Sequence, residues 1–515
     1  MDYRHKYIKI YFWQTLSVLL GFVSLFIVVP YISSNKTIYG IYSVCTSLTI
    51  FFSYADLGFL SSGVKYAAEY YIKGQHKEEI RIIGFTSFIM ASVFAILALG
   101  IVVLGVYPKL LIPELLVGSQ QMSIARWLLF TLAVSCPIII CQRLLNLIFT
   151  IRVEDYKFQR MNIIGNIIRI LSVFFFFGNG RYMIVEYYIF YQFVTLLVMM
   201  SALFYVRGHY GYGIKDIIAS FRFDKEIFDK VKNLTGTALI MTASSVLYYE
   251  LDQVVISNVL GLNAVAVYAA ALSVLQLVRS YSSIVYSPYT SRFNHFVGLE
   301  DYDGLTHFVR KMIIMFTPIL VVPILTLSLT AEPFVISWVG EQYKESGLLV
   351  SFLVLCFIFN FIKEPIGSYF VATERNKVLI KYNIIIPVVF WLGVFLTVSY
   401  LNTLSFAIMK FVAPLLSVVA YWVLAYKDFS NRGFKFISIS QLMKTLIPTI
   451  AIVFFFSWVF KHWMIEEHTK EALLINLIMM VFTALVSFLI SIPFNDEIKQ
   501  EIKHYWGAFK DKISN

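Results

Sequence analysis

Arg143, Arg169, Arg279, Glu250 and Asp252 each stand inside a long apolar stretch of this 515-residue chain. An ionisable side chain at bilayer depth costs at least about 2.5 kcal/mol, so it normally faces a bundle interior or a water-filled cavity. Lys363 and Glu364 are neighbours in another such stretch, just before Pro365, and Lys410 stands in a third. Arginine suits a phosphate ligand because its planar fork binds two oxygens at once and keeps its charge. A chain with cations in several apolar segments is therefore expected to move something polar and anionic.

Arg279 is the first candidate for contact with such a cargo, because Ser273, Gln276, Ser280, Ser282 and Ser283 give its segment a polar face. Arg169 follows Asn162 and Asn166 at helical spacing. Arg143, beside Gln142 and Asn146, is nearer a segment end and could snorkel to the interface. Lys363 and Lys410 are further cationic candidates. The competing reading of each is structural, a cation capping carbonyls or pairing with an acid. Glu250 and Asp252 serve either as a proton- or cation-coupling site or as such partners. On one continuous helix, residues two apart point about 200° from each other, so these two are not expected to share a site. Asp56, near a segment end, reads as a cap or a partner of Lys65, and Glu364 as a gating or structural acid. Tyr248, Tyr249, Tyr281 and Tyr286 could stack on sugars, although packing is the plainer reading.

The elements that must hold these residues are membrane-spanning helices. The chain is 59% hydrophobic and 14% charged, whereas soluble domains are roughly a quarter charged. Mean hydropathy is +0.75. Apolar runs of about twenty residues, each able to cross about 30 Å of hydrocarbon, recur from end to end. They predict an all-α polytopic membrane protein of about 14 transmembrane helices. Lys and Arg gather in alternate turns, as in Lys65/Lys73/Lys77/Arg81, Arg152/Lys157/Arg160 and Arg375/Lys377/Lys381, and are sparse in the others. This positive-inside pattern places both termini in the cytoplasm. It also accounts for the net charge of +11 without a nucleic-acid partner. Cys45, Cys136, Cys141 and Cys356 all fall in predicted spans without ligand spacing, and are expected to be buried, reduced thiols.

The sequence repeats. Phe149, Arg160, Asn162, Ile163 and Ile164 match Phe370, Lys381, Asn383, Ile384 and Ile385, and the surroundings of Tyr42 match those of Tyr268. A six-helix repeat has an even number of crossings, so its copies are related by a pseudo-two-fold axis along the membrane normal. The expected organisation is an N-lobe at 1–206, a basic linker at 207–234 and a C-lobe at 235–426. Two additional C-terminal helices at 427–493 and a basic tail at 494–515 complete it. Pro137, Pro288, Pro318, Pro323 and Pro365 are expected to interrupt helices and to supply hinges.

The segments Val29-Pro30-Tyr31, Tyr39-Gly40-Ile41-Tyr42 and Tyr54-Ala55-Asp56-Leu57-Gly58-Phe59 resemble the start of the polysaccharide transporter (Wzx-like) branch of the MOP flippase superfamily. Leu251-Asp252-Gln253-Val254-Val255-Ile256 and Val267-Tyr268-Ala269-Ala270-Ala271 resemble that family's seventh and eighth helices. The resemblance implies a flippase that carries an undecaprenyl-diphosphate-linked oligosaccharide across a bacterial cytoplasmic membrane by alternating access through a cation-lined cavity. It implies no cofactor, and as partners membrane lipids and a polysaccharide polymerase or other assembly proteins. A multidrug antiporter or a lipid II flippase of the same superfamily is the nearest alternative. A polytopic polymerase or ligase is less favoured: no P-loop, metal cluster or nucleophile motif is present, and no long loop displays carboxylates.

Overall fold

The computed structural model describes residues 3–54, 58–212, 216, 219–286, 289–373 and 375–503. Among them no strand forms, and the chain divides into two compact units, Met1–Ala269 and Ala270–Asn515. Hydrocarbon offers backbone groups no hydrogen-bond partner, so a helix, which pairs its own, is the element that can cross it.

The first unit contains α1 (Tyr3–Ile32), α2 (Lys36–Tyr54), α3 (Phe59–Ile72), α4 (His76–Val106), α5 (Gln120–Ile151), α6 (Asp155–Phe177), α7 (Ile184–Tyr210), α8 (Lys225–Tyr249) and α9 (Asp252–Val259). It ends within α10 (Leu262–Tyr286). Here α4 lies along α5, α1 along α6, and α7 against both α5 and α6. The second unit continues with α11 (Thr290–Gly298), α12 (Tyr302–Leu329), α13 (Ala331–Val339), α14 (Lys344–Val354), α15 (Asn360–Ala372), α16 (Asn376–Leu401) and α17 (Thr403–Asn431). Its last helices, α18 (Ile439–Lys461) and α19 (Lys470–Ser491), pack on α12 and α13.

Among the described residues, twelve helical segments are long and apolar enough to cross a membrane. The two other expected spans, the second and the seventh, also form as helices. The second is α2, of 19 residues. The seventh is broken: α8 stops at Tyr249, Glu250 leaves helical geometry at φ −122°, and α9 restarts at Asp252. The expectation that Glu250 and Asp252 point apart on one helix therefore fails, because no continuous helix joins them.

The prolines also depart from expectation. Pro137, Pro318, Pro323 and Pro365 lie inside continuous helices, and Pro288 lies outside the described residues. The tenth span breaks instead at the 3-10 turn Leu355–Phe357, ahead of Pro365. A proline withholds the N–H that the carbonyl four residues earlier would accept, and a neighbour can replace it. Pro318 so frees the Ile314 carbonyl, which accepts Asn495 Nδ2 at 2.7 Å. Pro323 frees the Ile319 carbonyl, which accepts the Tyr281 hydroxyl at 2.6 Å. Tyr281 thus spends its hydroxyl on a helix backbone. Tyr281→Phe is expected to cost about 1–3 kcal/mol of stability, the penalty of a buried acceptor left unpaired, read as a lower thermal midpoint in detergent.

The repeat recurs in local geometry. The Phe149 carbonyl accepts the Glu154 N–H at 3.0 Å and the Phe370 carbonyl accepts the Arg375 N–H at 2.9 Å, so both copies turn five residues after the matched phenylalanine. Each turn is then tied to the end of the copy's sixth helix. Tyr210 Oη donates to Glu154 Oε2 at 2.5 Å, and Arg375 pairs with Asp428. The matched asparagines also act alike: Asn162 Oδ1 accepts Gln142 Nε2 at 3.1 Å, and Asn383 Oδ1 accepts the Tyr421 hydroxyl at 3.3 Å.

Candidate functional site

The second unit brings three of the sequence candidates together. Arg279 comes from α10, Lys363 from the first turn of α15 and Lys410 from α17, and all three lie within electrostatic reach of the Cys356 thiol. The break at Leu355–Phe357 makes this possible, because it lets the chain restart as α15 at Asn360, with Lys363 close behind. The Lys363 ammonium stands 5.8 Å from the Tyr421 ring centre, and that of Lys410 stands 5.0 Å from the Phe390 ring centre. Lys410 is 0% exposed, whereas Arg279 and Lys363 are half-buried. Glu364 is the acid of the cluster and lies near Tyr286 and Tyr421. Tyr286 donates to the Asn360 carbonyl at 3.0 Å, at the point where α15 begins. Basic side chains brought together in an apolar surrounding are a setting that favours an anion.

Arg169, in the first unit, is differently placed. It is 8% exposed, with Nη1 donating to Asn166 Oδ1 and Nη2 to Thr195 Oγ1, each at 2.7 Å. Its guanidinium carbon lies 4.2 Å from the Tyr191 ring centre. Two of its donors and one face are thus occupied from within, and Nε is buried without a hydrogen-bond partner. Arg143 is half-buried on α5, one residue beyond the Gln142–Asn162 bond. Glu250 and Asp252 are buried, and Asp252 accepts the Tyr268 hydroxyl. Asp56 lies outside the described residues. Among the cysteines, Cys141 is exposed on the helix surface, contrary to expectation, because its position on α5 faces outward.

Sequence reasoning missed a second charged cluster at the basic-turn end of the first unit. Glu79, fully buried, pairs with Arg152 at 3.2 Å and with His76 Nδ1 at 2.9 Å, and accepts the Tyr212 hydroxyl. The Arg152 guanidinium carbon lies 4.6 Å from the ring centres of Tyr71 and Tyr210 and 4.8 Å from that of Tyr212. The visible signal was the pair Tyr210 and Tyr212 beside a glycine, but Arg152 was counted only as an insertion charge. Nearby, Asp224 caps α8 by accepting the N–H groups of Glu226 and Ile227, and Arg81 pairs with it at 2.6 Å. Burial works against the Asp224 carboxylate, but these donors outweigh it and hold its pKa below the usual range. Among the described residues no group of three or more His, Cys, Asp or Glu is placed to hold a metal.

A chain of long apolar helices in two units, with charged groups inside them, is a multi-pass membrane protein. Its fold is similar to those of solved lipid II flippase and MATE family transporter structures. The MatE family profile matches residues 238–398. A solved structure titled lipid II flippase MurJ, inward closed conformation, superposes with a TM-score of 0.69 at 14% identity, covering 95% of this chain and 99% of that one. An inward-facing multidrug resistance MATE family transporter of the MOP superfamily superposes with a TM-score of 0.60 at 14% identity, covering 80% of this chain and 95% of that one. An outward-facing structure of a MATE family transporter gives a TM-score of 0.58, again at 14% identity, covering 84% and 97%. Among curated proteins no sequence match was found.

Proposed function

We propose that this protein is a flippase that carries an undecaprenyl-diphosphate-linked oligosaccharide from the cytoplasmic to the periplasmic leaflet of a bacterial cytoplasmic membrane. The observation that carries the reading is the convergence of the basic side chains Arg279, Lys363 and Lys410, from three separate helices, with Glu364 beside Lys363. A diphosphate brings two negative charges, and cations held in a low-dielectric interior are worth far more to it than the same cations in water. Residues 1–206 and 235–426 act as the two lobes of an alternating-access cycle, with both termini cytoplasmic, and polymerisation of the delivered repeat units falls to separate assembly enzymes. A lipid II flippase is the second reading, favoured by the MurJ superposition over almost the whole chain. Both readings share the diphosphate and differ in the glycan.

The test uses purified protein in proteoliposomes with three cargoes: a labelled lipid-diphosphate oligosaccharide, labelled lipid II, and an organic cation exchanged for protons. Flipping of the oligosaccharide at no less than ten times the lipid II rate is the expected result. The reverse preference would move the assignment to lipid II. Cation exchange without lipid flipping would overturn both.

A further inference from the structure

The loop joining α4 to α5, residues 107–119, is on the side that the charge pattern assigns to the exoplasm. Leu111, Ile112 and Leu115 sink into the first unit, at 3%, 0% and 1% exposure. The loop's polar groups meet the end of α9 and the start of α10. The Leu111 carbonyl accepts Ser257 Oγ at 3.4 Å and Asn258 Nδ2 at 3.3 Å. Glu114 Oε2 accepts the Leu262 N–H at 2.9 Å. That N–H belongs to the first turn of α10, where it has no partner within the helix and where a carboxylate is favoured by the helix dipole.

Two glycines make the contact possible. Gly261 stands at φ +86°, and a Cβ on it would meet Glu114 Oε1 at 2.2 Å. Gly40 of α2 backs the same turn, and a Cβ there would meet the Leu262 carbonyl oxygen at 2.4 Å. The sequence repeat puts α2 and the 107–119 loop in its first copy and Gly261-Leu262 in its second. The contact therefore ties together, at the exoplasmic end, elements that an outward opening must part.

We propose that Glu114 and the 107–119 loop form an exoplasmic latch on the N-terminus of α10, which releases once in every transport cycle. The latch rests on the transport reading above. It is built to open, since Glu114 is exposed and, among the described residues, the loop's polar contacts with α9 and α10 are one charge-assisted hydrogen bond beside two long neutral ones.

The first test needs no substrate. Ser257→Cys places a thiol under the loop at a position that is 2% exposed, and a membrane-impermeant maleimide reads its accessibility from outside. Adding Glu114→Ala is expected to speed its labelling at least tenfold, and Glu114→Gln, which keeps an acceptor but loses the charge, less than that. Equal labelling in all three would overturn the latch. The second test bridges Glu114→Cys to Leu262→Cys with a reducible bifunctional thiol reagent. Flipping is expected to fall at least tenfold and to recover on reduction, and an undiminished rate in the bridged protein would overturn the proposal. If the unbridged protein moves no lipid-linked oligosaccharide, the function reading fails while the labelling comparison still decides the latch.

Discussion

Arg279→Ala and Lys363→Ala are each expected to slow flipping of a lipid-diphosphate oligosaccharide at least tenfold, and the double variant about a hundredfold. A hydrogen bond to a charged group is worth about 1.5–3 kcal/mol, and each 1.4 kcal/mol is a factor of ten. Both side chains are half-buried, so truncating either removes charge from the cluster without opening a large cavity. Lys410→Met is expected to lower flipping in the same way, because it removes a fully buried cation while keeping an apolar chain of similar length. Flipping rates in proteoliposomes, with insertion and thermal midpoint matched, measure all four. Arg279→Lys keeps the charge but loses the fork, so a partial recovery is expected if a phosphate is bound in bidentate fashion. Normal flipping by the well-folded alanine variants would make these cations structural and remove the basis for an anionic cargo.

The second large effect is on stability. Arg152→Ala is expected to cost about 3 kcal/mol, because it leaves Glu79 buried without its guanidinium partner. The figure sits at the lower end of the range for broken buried pairs, since His76 and Tyr212 still reach the carboxylate. Arg152→Lys is expected to restore little, as an ammonium cannot present a flat face to Tyr71, Tyr210 and Tyr212 together. Combining Arg152→Met with Glu79→Gln removes both charges and is expected to regain most of the loss. Thermal unfolding of the four proteins in detergent decides it. A midpoint for Arg152→Ala within error of the parent protein would show that the pair contributes nothing.

Arg169 illustrates where sequence reasoning stops. Its helical register with Asn166 was visible, and the structure does join them, but Thr195 and Tyr191, which take a second donor and one face of the guanidinium, come from α7. A candidate for ligand contact thus also makes hydrogen bonds within its own bundle. Arg279, Lys363 and Lys410 come from separate helices and all lie within electrostatic reach of the Cys356 thiol. The sequence marked each as costly, but no periodicity could say that they share a site.

What the sequence by itself determined is the class of molecule: many apolar helices that make a multi-pass membrane protein. These follow from local quantities, the free energy of moving about twenty side chains and their backbone into hydrocarbon and the charge of the turns between them. Only the tertiary structure decided where helices break, which carbonyls freed by proline are re-used, and which charges meet. Asn495 and Tyr281 cap carbonyls 181 and 38 positions away, and Tyr212 reaches Glu79 across 133. Such contacts are fixed by how helices pack side by side, where small differences in shape choose between partners that are equivalent in composition.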